Sequence, residues 1–361
     1  MPPKKTDDTP KSVLSTIQEL KKKYPQNTNT TKTPTGILPL DYVLRGGIVA
    51  PTFVQLAGES GSGKTTCALS LAKNFVKKGQ NVLYLNFEQS VIQVLAEDMG
   101  LFKYPEEQFC MLAPATIAES EDIIRKLIYA TPIGETPAFQ HIFFDSVGAM
   151  TPDWAEEKEV MSDDNTPAVR ARQLSKFFDI NNAKLKRRGV CCGFINHLTN
   201  KIAMKYGEIS GMVTKGGTAV QYWTDIWVYL SKGTSLDQKD QANATGNKKF
   251  ESSKYANIGT IWVEKGRSGG MMKKTECPVF FGKGISNVYW LYLVLKNEGY
   301  VKTNGSFLNC TLLDEGGVNC QGVPKLLNYL QEHQKEVIST MKKKGLWNFF
   351  DTEDTSLPEE E

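Results

Sequence analysis

Residues 58–66 read GESGSGKTT, a complete match to the pattern G-x-x-x-x-G-K-[ST]. The apolar run Phe53 to Ala57 precedes it and reads as a buried strand, and Thr65 to Lys77 follows it with helical character. A strand, a glycine-rich turn and a helix form the setting in which such a loop wraps an anion. Gly58, Gly61 and Gly63 let the chain curl so that successive N–H groups point at phosphate oxygens. The helix N-terminus adds partial positive charge. Glu59, Ser60, Ser62 and Thr66 complete the nucleotide-binding loop. Lys64 is placed to reach the outer phosphates, and the Thr65 hydroxyl to hold Mg²⁺. The expected ligands are ATP and Mg²⁺.

Two further strands end in acids that suit this site. HIFFDS, residues 141–146, is apolar until Asp145, a carboxylate able to hold Mg²⁺ through water. Asn81 to Phe87 is followed by Glu88, which in a parallel sheet lies next to the γ-phosphate and can orient the attacking water. Val190 to Asn196, Asp225 to Leu230 and Ile258 to Glu264 read as more short apolar strands. Strands alternating with helical segments predict an α/β fold, a P-loop ATPase core whose mostly parallel twisted sheet is flanked by helices.

That core is expected over residues 35–284. Residues 1–34 are polar and lysine-rich. Within them Ser12 to Lys23 carries Val13, Leu14, Ile17 and Leu20 at helical spacing. So small a helix must pack on its own domain or on a neighbouring subunit, and it is the candidate oligomerisation contact. A small α+β module is expected over 285–345, and an acidic tail over 346–361. Residues 153–167 are polar and acidic, and 200–217 are rich in glycine, lysine and threonine. Each follows a strand that carries chemistry, where long irregular insertions are usually functional. Residues 231–255 read as a solvated hairpin or loop.

Composition removes several classes of function. No stretch approaches the roughly 20 apolar residues of a membrane span. The start, MPPKKTDDTP, lacks the apolar core of a secretory signal, so a cytoplasmic location is expected. Seven cysteines are scattered without a CxxC pair, and His141, His197 and His333 lie far apart, which leaves a zinc site or disulfide framework unsupported. The net charge is +3, but the last eleven residues, DTEDTSLPEEE, carry six acids and no base, so the rest of the chain carries +9. A basic body with an acidic tail suits a nucleic-acid partner, or a tail that serves solubility.

The order TGILPLDYVLRGG, GESGSGKTT, YLNFE, FFDSVGAMTP, INH and TKGG closely resembles the RecA recombinases. YWLYLVLKNEGYVKTNGSF, and Asn196-His197 where bacterial RecA has Asn-Gln, look similar to the phage UvsX branch. The resemblance runs from about Thr33 to Phe307. It implies a DNA-dependent ATPase that forms helical filaments on single-stranded DNA and promotes homologous pairing and strand exchange with duplex DNA. A single-strand-binding protein and a recombination mediator are the further partners it implies. A phage origin would place the protein in the cytoplasm of an infected bacterium.

The resemblance also assigns roles. Glu88 and Lys64 would be catalytic, and His197 would sense the γ-phosphate. Lys265 and Arg267 of the EKGR stretch would reach the ATP of a neighbouring subunit. DNA contacts would come from Arg172 and Ser175 after the first loop (153–167). In the second loop (200–217) they would come from Lys201, Ile202, Gly216 and Gly217. Ile92 and Leu95 stand where the family frames adenine with an Asp and a Tyr, which leaves base specificity open. Asp179 replaces a helix arginine of the family. Glu156, Glu157, Glu159, Asp163 and Asp164 make the first loop acidic, so the second is expected to dominate DNA contact. The competing readings are a RecA-like hexameric motor or KaiC-like ATPase, and a non-catalytic mediator.

Overall fold

The structure is a computed structural model, and it describes residues 13–23, 31–89, 92–152, 166–201, 211–214, 217–237, 254–266 and 273–347. The chain divides into two compact units, Met1–Thr31 and Lys32–Glu361. The first contains helix α1 (Val13–Lys23), on which Val13, Leu14, Ile17 and Leu20 are exposed.

The second unit opens with a short ribbon, β1 (Lys32–Thr33) against β2 (Ile48–Val49), with helix α2 (Leu38–Val43) between them. The main sheet then begins. Strand β3 (Phe53–Gly58) leads through the glycine-rich loop into α3 (Lys64–Lys77). β4 (Val82–Asn86), α4 (Ile92–Asp98), β5 (Phe109–Leu112), α5 (Ile117–Leu127) and β6 (His141–Asp145) follow. Next come the long helix α6 (Thr166–Arg187), β7 (Cys191–Lys201), β8 (Gly211–Thr214) and α7 (Gly217–Trp223). β9 (Ile226–Asp237), β10 (Lys254–Gly266), β11 (Lys274–Phe280) and β12 (Gly284–Ile285) complete the sheet.

Strand order is β12-β11-β10-β9-β3-β7-β6-β4-β5, with β8 beside the end of β7. From β9 to β5 every pairing is parallel, and β10, β11 and β12 add an antiparallel flank. Every residue of β4 and of β6 is buried, because helices cover both faces of a parallel sheet. On one face α3 lays Cys67, Ala68 and Ala72 against Leu56, Tyr84 and Phe143, small residues that let helix and sheet approach closely. On the other, α6 inserts Leu174, Phe177, Phe178 and Leu185. The Phe178 ring lies 5.0 Å from Phe194, which itself stacks on Phe144 at 4.8 Å. Each fully buried Phe stabilises the fold by about 1.5–3 kcal/mol, so α6 is held firmly to the strands that carry the site.

A third core belongs to the last elements: α8 (Asn287–Asn297), the meander β13 (Val301–Asn304), β14 (Phe307–Cys310), β15 (Val318–Gln321), and helices α9 (Gly322–Glu332) and α10 (Gln334–Lys343). Trp290 of α8 is fully buried, meets Trp347 edge-on at 5.2 Å and Tyr42 of α2 at 5.6 Å, and donates to Thr275 Oγ1. That contact docks these elements on the main sheet.

Two sequence expectations change. The strands expected to end at Asn196 and Leu230 continue to Lys201 and Asp237. Residues 200–217, read as irregular, begin and end in regular structure, because Leu198–Lys201 pair with Gly211–Thr214 and α7 opens at Gly217. An extended hairpin satisfies its own backbone groups and needs no apolar periodicity.

His141 opens β6 buried, stacked on Phe75 at 3.8 Å, with its Nε2 3.1 Å from Gln80 Oε1. Burial pushes its pKa down to about 3. An unfolded histidine titrates near 6.5, so the unfolded chain binds the extra proton between about pH 6.5 and 3 and stability is lost as pH falls through that window. From pH 7 to 5 the wild type is expected to lose about 2 kcal/mol more than a His141→Phe variant. Urea midpoints at the two pH values measure this; equal losses would mean that His141 takes up its proton equally in both states.

Candidate active site

Parallel pairing lines up the carboxyl ends of β3, β6 and β4 with the middle of the longer strand β7. Gly58 sits directly across from His197, and Asn86 across from Asp145. Glu88 and Ser146, just past those ends, therefore meet over the phosphate loop, at the edge where open parallel sheets bind ligands. A cleft there is lined by Ser60, Glu88, Ser146, Gly148, Ala149, His197 and Leu198.

The loop needs its glycines for steric reasons. Gly63 has φ +90°, and a Cβ on it would lie 2.9 Å from Val279 Cγ2. A Cβ on Gly58 would lie 2.2 Å from the Leu230 carbonyl oxygen. Glu59, Ser60 and Gly61 are exposed, Ser62 is buried, and Thr65 and Thr66 are half-buried at the start of α3. Lys64 is only 4% exposed, and its Nζ donates to the Glu59 carbonyl at 2.6 Å. Burial brings the Lys64 pKa down to about 8, against the opposing pull of Asp145, Glu88 and Glu59. A polyphosphate in the loop favours the charged form.

Asp145 is fully buried, and burial raises its pKa to about 6. The Tyr84 hydroxyl donates to its Oδ2 at 2.6 Å, and Tyr84 and the Thr65 hydroxyl both favour the charged form. Oδ1 has no full hydrogen bond among the described residues. A buried carboxylate oxygen left open beside a threonine hydroxyl suits a hard, oxygen-seeking cation, so Thr65 and Asp145 fit Mg²⁺. Elsewhere among the described residues no His, Cys, Asp and Glu group could hold a metal ion.

Glu88 takes two donors on one oxygen. Ser146 Oγ donates to Oε1 at 2.7 Å, and His197 Nε2 lies 3.0 Å from the same atom. A carboxylate only accepts, so the contact requires the His197 proton on Nε2. Burial acts to raise the Glu88 carboxyl, but the hydrogen bonds from Ser146 and His197, with the charges of His197 and Lys64, outweigh it and hold the pKa below the ordinary value. Oε2 takes no part in either hydrogen bond and is free to orient a water.

Other expected residues lie elsewhere. Arg172 is exposed and Ser175 half-buried on α6, three residues apart on one face. Lys201 ends β7 and Gly217 opens α7. Ile202, Gly216, Arg267 and residues 153–165 lie outside the described residues. Ile92 is buried and Leu95 packs against the α3 core, so neither offers a polar group to a base. Lys265 is not at this edge. It donates to the Gln221 and Thr224 carbonyls at 2.9 and 3.1 Å, at the end of α7, and covers the Trp227 ring at 4.8 Å.

The family model for the RecA N-terminal domain matches residues 14–286. The chain belongs to the RecA family. The protein RecA of Bifidobacterium breve is 27% identical over 306 residues, 84% of this chain and 71% of that protein. RecA of Mycobacterium ulcerans is 26% identical over 329 residues, 90% and 87% of the two chains. Among solved structures, a KaiC-like protein from Pyrococcus horikoshii OT3 aligns with a TM-score of 0.47 at 18% identity, over 71% of this chain and 97% of that one. The fold is the RecA-like α/β fold.

Ser146 and Tyr84 join the site without a role assigned by any motif of the sequence. Tyr84 lies within the apolar strand β4 and Ser146 one residue past β6, so a lone hydroxyl beside apolar residues is the signal the sequence offers for each.

Proposed function

We propose that this chain is an ATP-dependent recombinase. It forms filaments on single-stranded DNA and promotes pairing and strand exchange with a homologous duplex, in the manner of the phage UvsX branch. Lys64 and the loop N–H groups bind the phosphates, and Thr65 and Asp145 hold Mg²⁺, which offsets phosphate charge when bound. Glu88 positions the attacking water. Ser146 and His197 keep Glu88 charged and aimed.

The observation that carries this reading is the His197–Glu88 hydrogen bond. His197 lies on β7, whose end pairs with β8 in the second loop, so whatever binds that loop acts on the strand that steers Glu88. A DNA partner fits the basic body, and a single-strand-binding protein and a mediator are further partners to seek. No helix among the described residues is long and apolar enough to cross a membrane.

The ATPase rate with and without single-stranded DNA, at low and moderate salt, tests the proposal. Strong stimulation that fades as salt rises is expected, because phosphate contacts release counterions. Turnover indifferent to DNA would overturn it, and closed rings in electron micrographs with ATP and DNA would favour the hexameric reading.

A further inference from the structure

One turn of α6 carries two arginines that point apart. Arg172 is exposed. Arg170, two residues earlier and so about 200° round the helix, is half-buried and donates from Nη1 to the Gly148 carbonyl at 3.1 Å. Its Nε is buried with no hydrogen-bond partner among the described residues, as is Gln173 Oε1 one turn on. Leaving a charged donor buried and unpaired costs free energy, so this contact is a poor stabiliser of the fold.

Gly148 lines the nucleotide cleft. It sits in the single turn Val147–Ala149, closed by Ala149 N–H donating to the Ser146 carbonyl at 3.0 Å. Ser146 in turn donates from Oγ to Glu88 Oε1. Side chain and backbone thus connect α6 to the carboxylate in three contacts: Arg170 to Gly148, that turn to Ser146, and Ser146 to Glu88. We propose that Arg170 is the positioning residue through which a strand bound on the outer face of α6 sets the aim of Glu88. The inference rests on the DNA-dependent ATPase reading above. A polyanion on Arg172 and Ser175 shifts or stiffens α6, and the guanidinium passes that to Gly148. Displacements of about 1 Å at a reacting group cost on the order of 10²-fold in rate, so a small movement suffices.

The test uses the full chain with Arg170→Ala and Arg170→Lys. It measures steady-state ATPase with and without single-stranded DNA, and ATPγS-dependent DNA binding by fluorescence anisotropy. Arg170→Ala is expected to lower the DNA-stimulated kcat by about tenfold or more, with KM for ATP, DNA-free turnover and DNA affinity within about twofold of wild type. Arg170→Lys, which keeps a donor, is expected to recover part of the stimulation. If Arg170→Ala does not fold, the lysine variant decides, by losing or keeping stimulation at unchanged DNA affinity. Stimulation equal to wild type in the variants overturns the inference and leaves the recombinase reading standing. Parallel loss of DNA affinity and stimulation also overturns it, because Arg170 would then serve DNA binding or the helix itself. A wild type that DNA does not stimulate removes both.

Discussion

Glu88→Gln is expected to lower ATP turnover by about 10²–10⁴-fold, the usual worth of a group that manages the attacking water, while ATP-dependent DNA binding survives. The substitution is nearly isosteric. The amide oxygen can still accept from Ser146 Oγ and His197 Nε2, which meet on Oε1 at 2.7 and 3.0 Å, so the cleft keeps its shape. What disappears is the negative charge. Lys64, Thr65 and Asp145, which hold phosphates and Mg²⁺ in this reading, are untouched. Nucleotide binding and chemistry should therefore separate: single-turnover hydrolysis collapses while nucleotide affinity stays near wild type. The same hydrogen bonds hold the Glu88 pKa below its ordinary value. In the wild type the acid limb of kcat is expected below the usual carboxylate range, and Ser146→Ala should move that limb upward. Unchanged turnover in Glu88→Gln would remove Glu88 from catalysis and leave the cluster a structural one.

The fold was legible because its signals are local. A glycine-rich loop between an apolar strand and a helix fixes the first βα unit, and short apolar strands at regular spacing demand a sheet covered on both faces. Strand lengths were not legible. The outer parts of β7 and β9 carry polar residues such as Thr199, Asn200, Ser231 and Thr234, and their pairing to β8 and β10 lies where no apolar alternation announces a strand. The site divides the same way. Glu88 and Asp145 could be picked out because each sits at or just past the end of a strand, and His197 because the apolar run before it stops at Asn196, although β7 itself continues to Lys201; parallel register then brings the three together. Ser146 becomes significant only once β4 and β6 are neighbours. Arg170 gave no signal at all, since an arginine on a polar helix is ordinary until the helix is seen lying over Gly148.

Lys265 carries the second large effect, and here the geometry argues against action within one chain. Lys265 pairs with Trp227, and Trp227 with Gln55 of β3. Gly58 is three residues further along β3, so the phosphate loop begins about 10 Å along the strands and about 10 Å across two strand spacings from Lys265. The ammonium is also committed to the end of α7, the opposite edge of the sheet. A cation held there meets a triphosphate only when a second subunit presents its own loop, the head-to-tail arrangement that propagates as a filament. Lys265→Ala is expected to cost about 10³-fold in DNA-stimulated turnover, the low end for a cation supplied in trans. Glu88→Gln and Lys265→Ala then make a complementation pair. Each is inactive alone. In an equal mixture, an ATP site of a Lys265→Ala subunit faced by a Glu88→Gln neighbour has an intact Glu88 and an intact Lys265. Random assembly places about a quarter of all sites in that arrangement, and turnover should recover to about that fraction of wild type. Mixing that restores nothing would confine Lys265 to its contacts with Gln221, Thr224 and Trp227, as a clamp on the helix that follows the second loop.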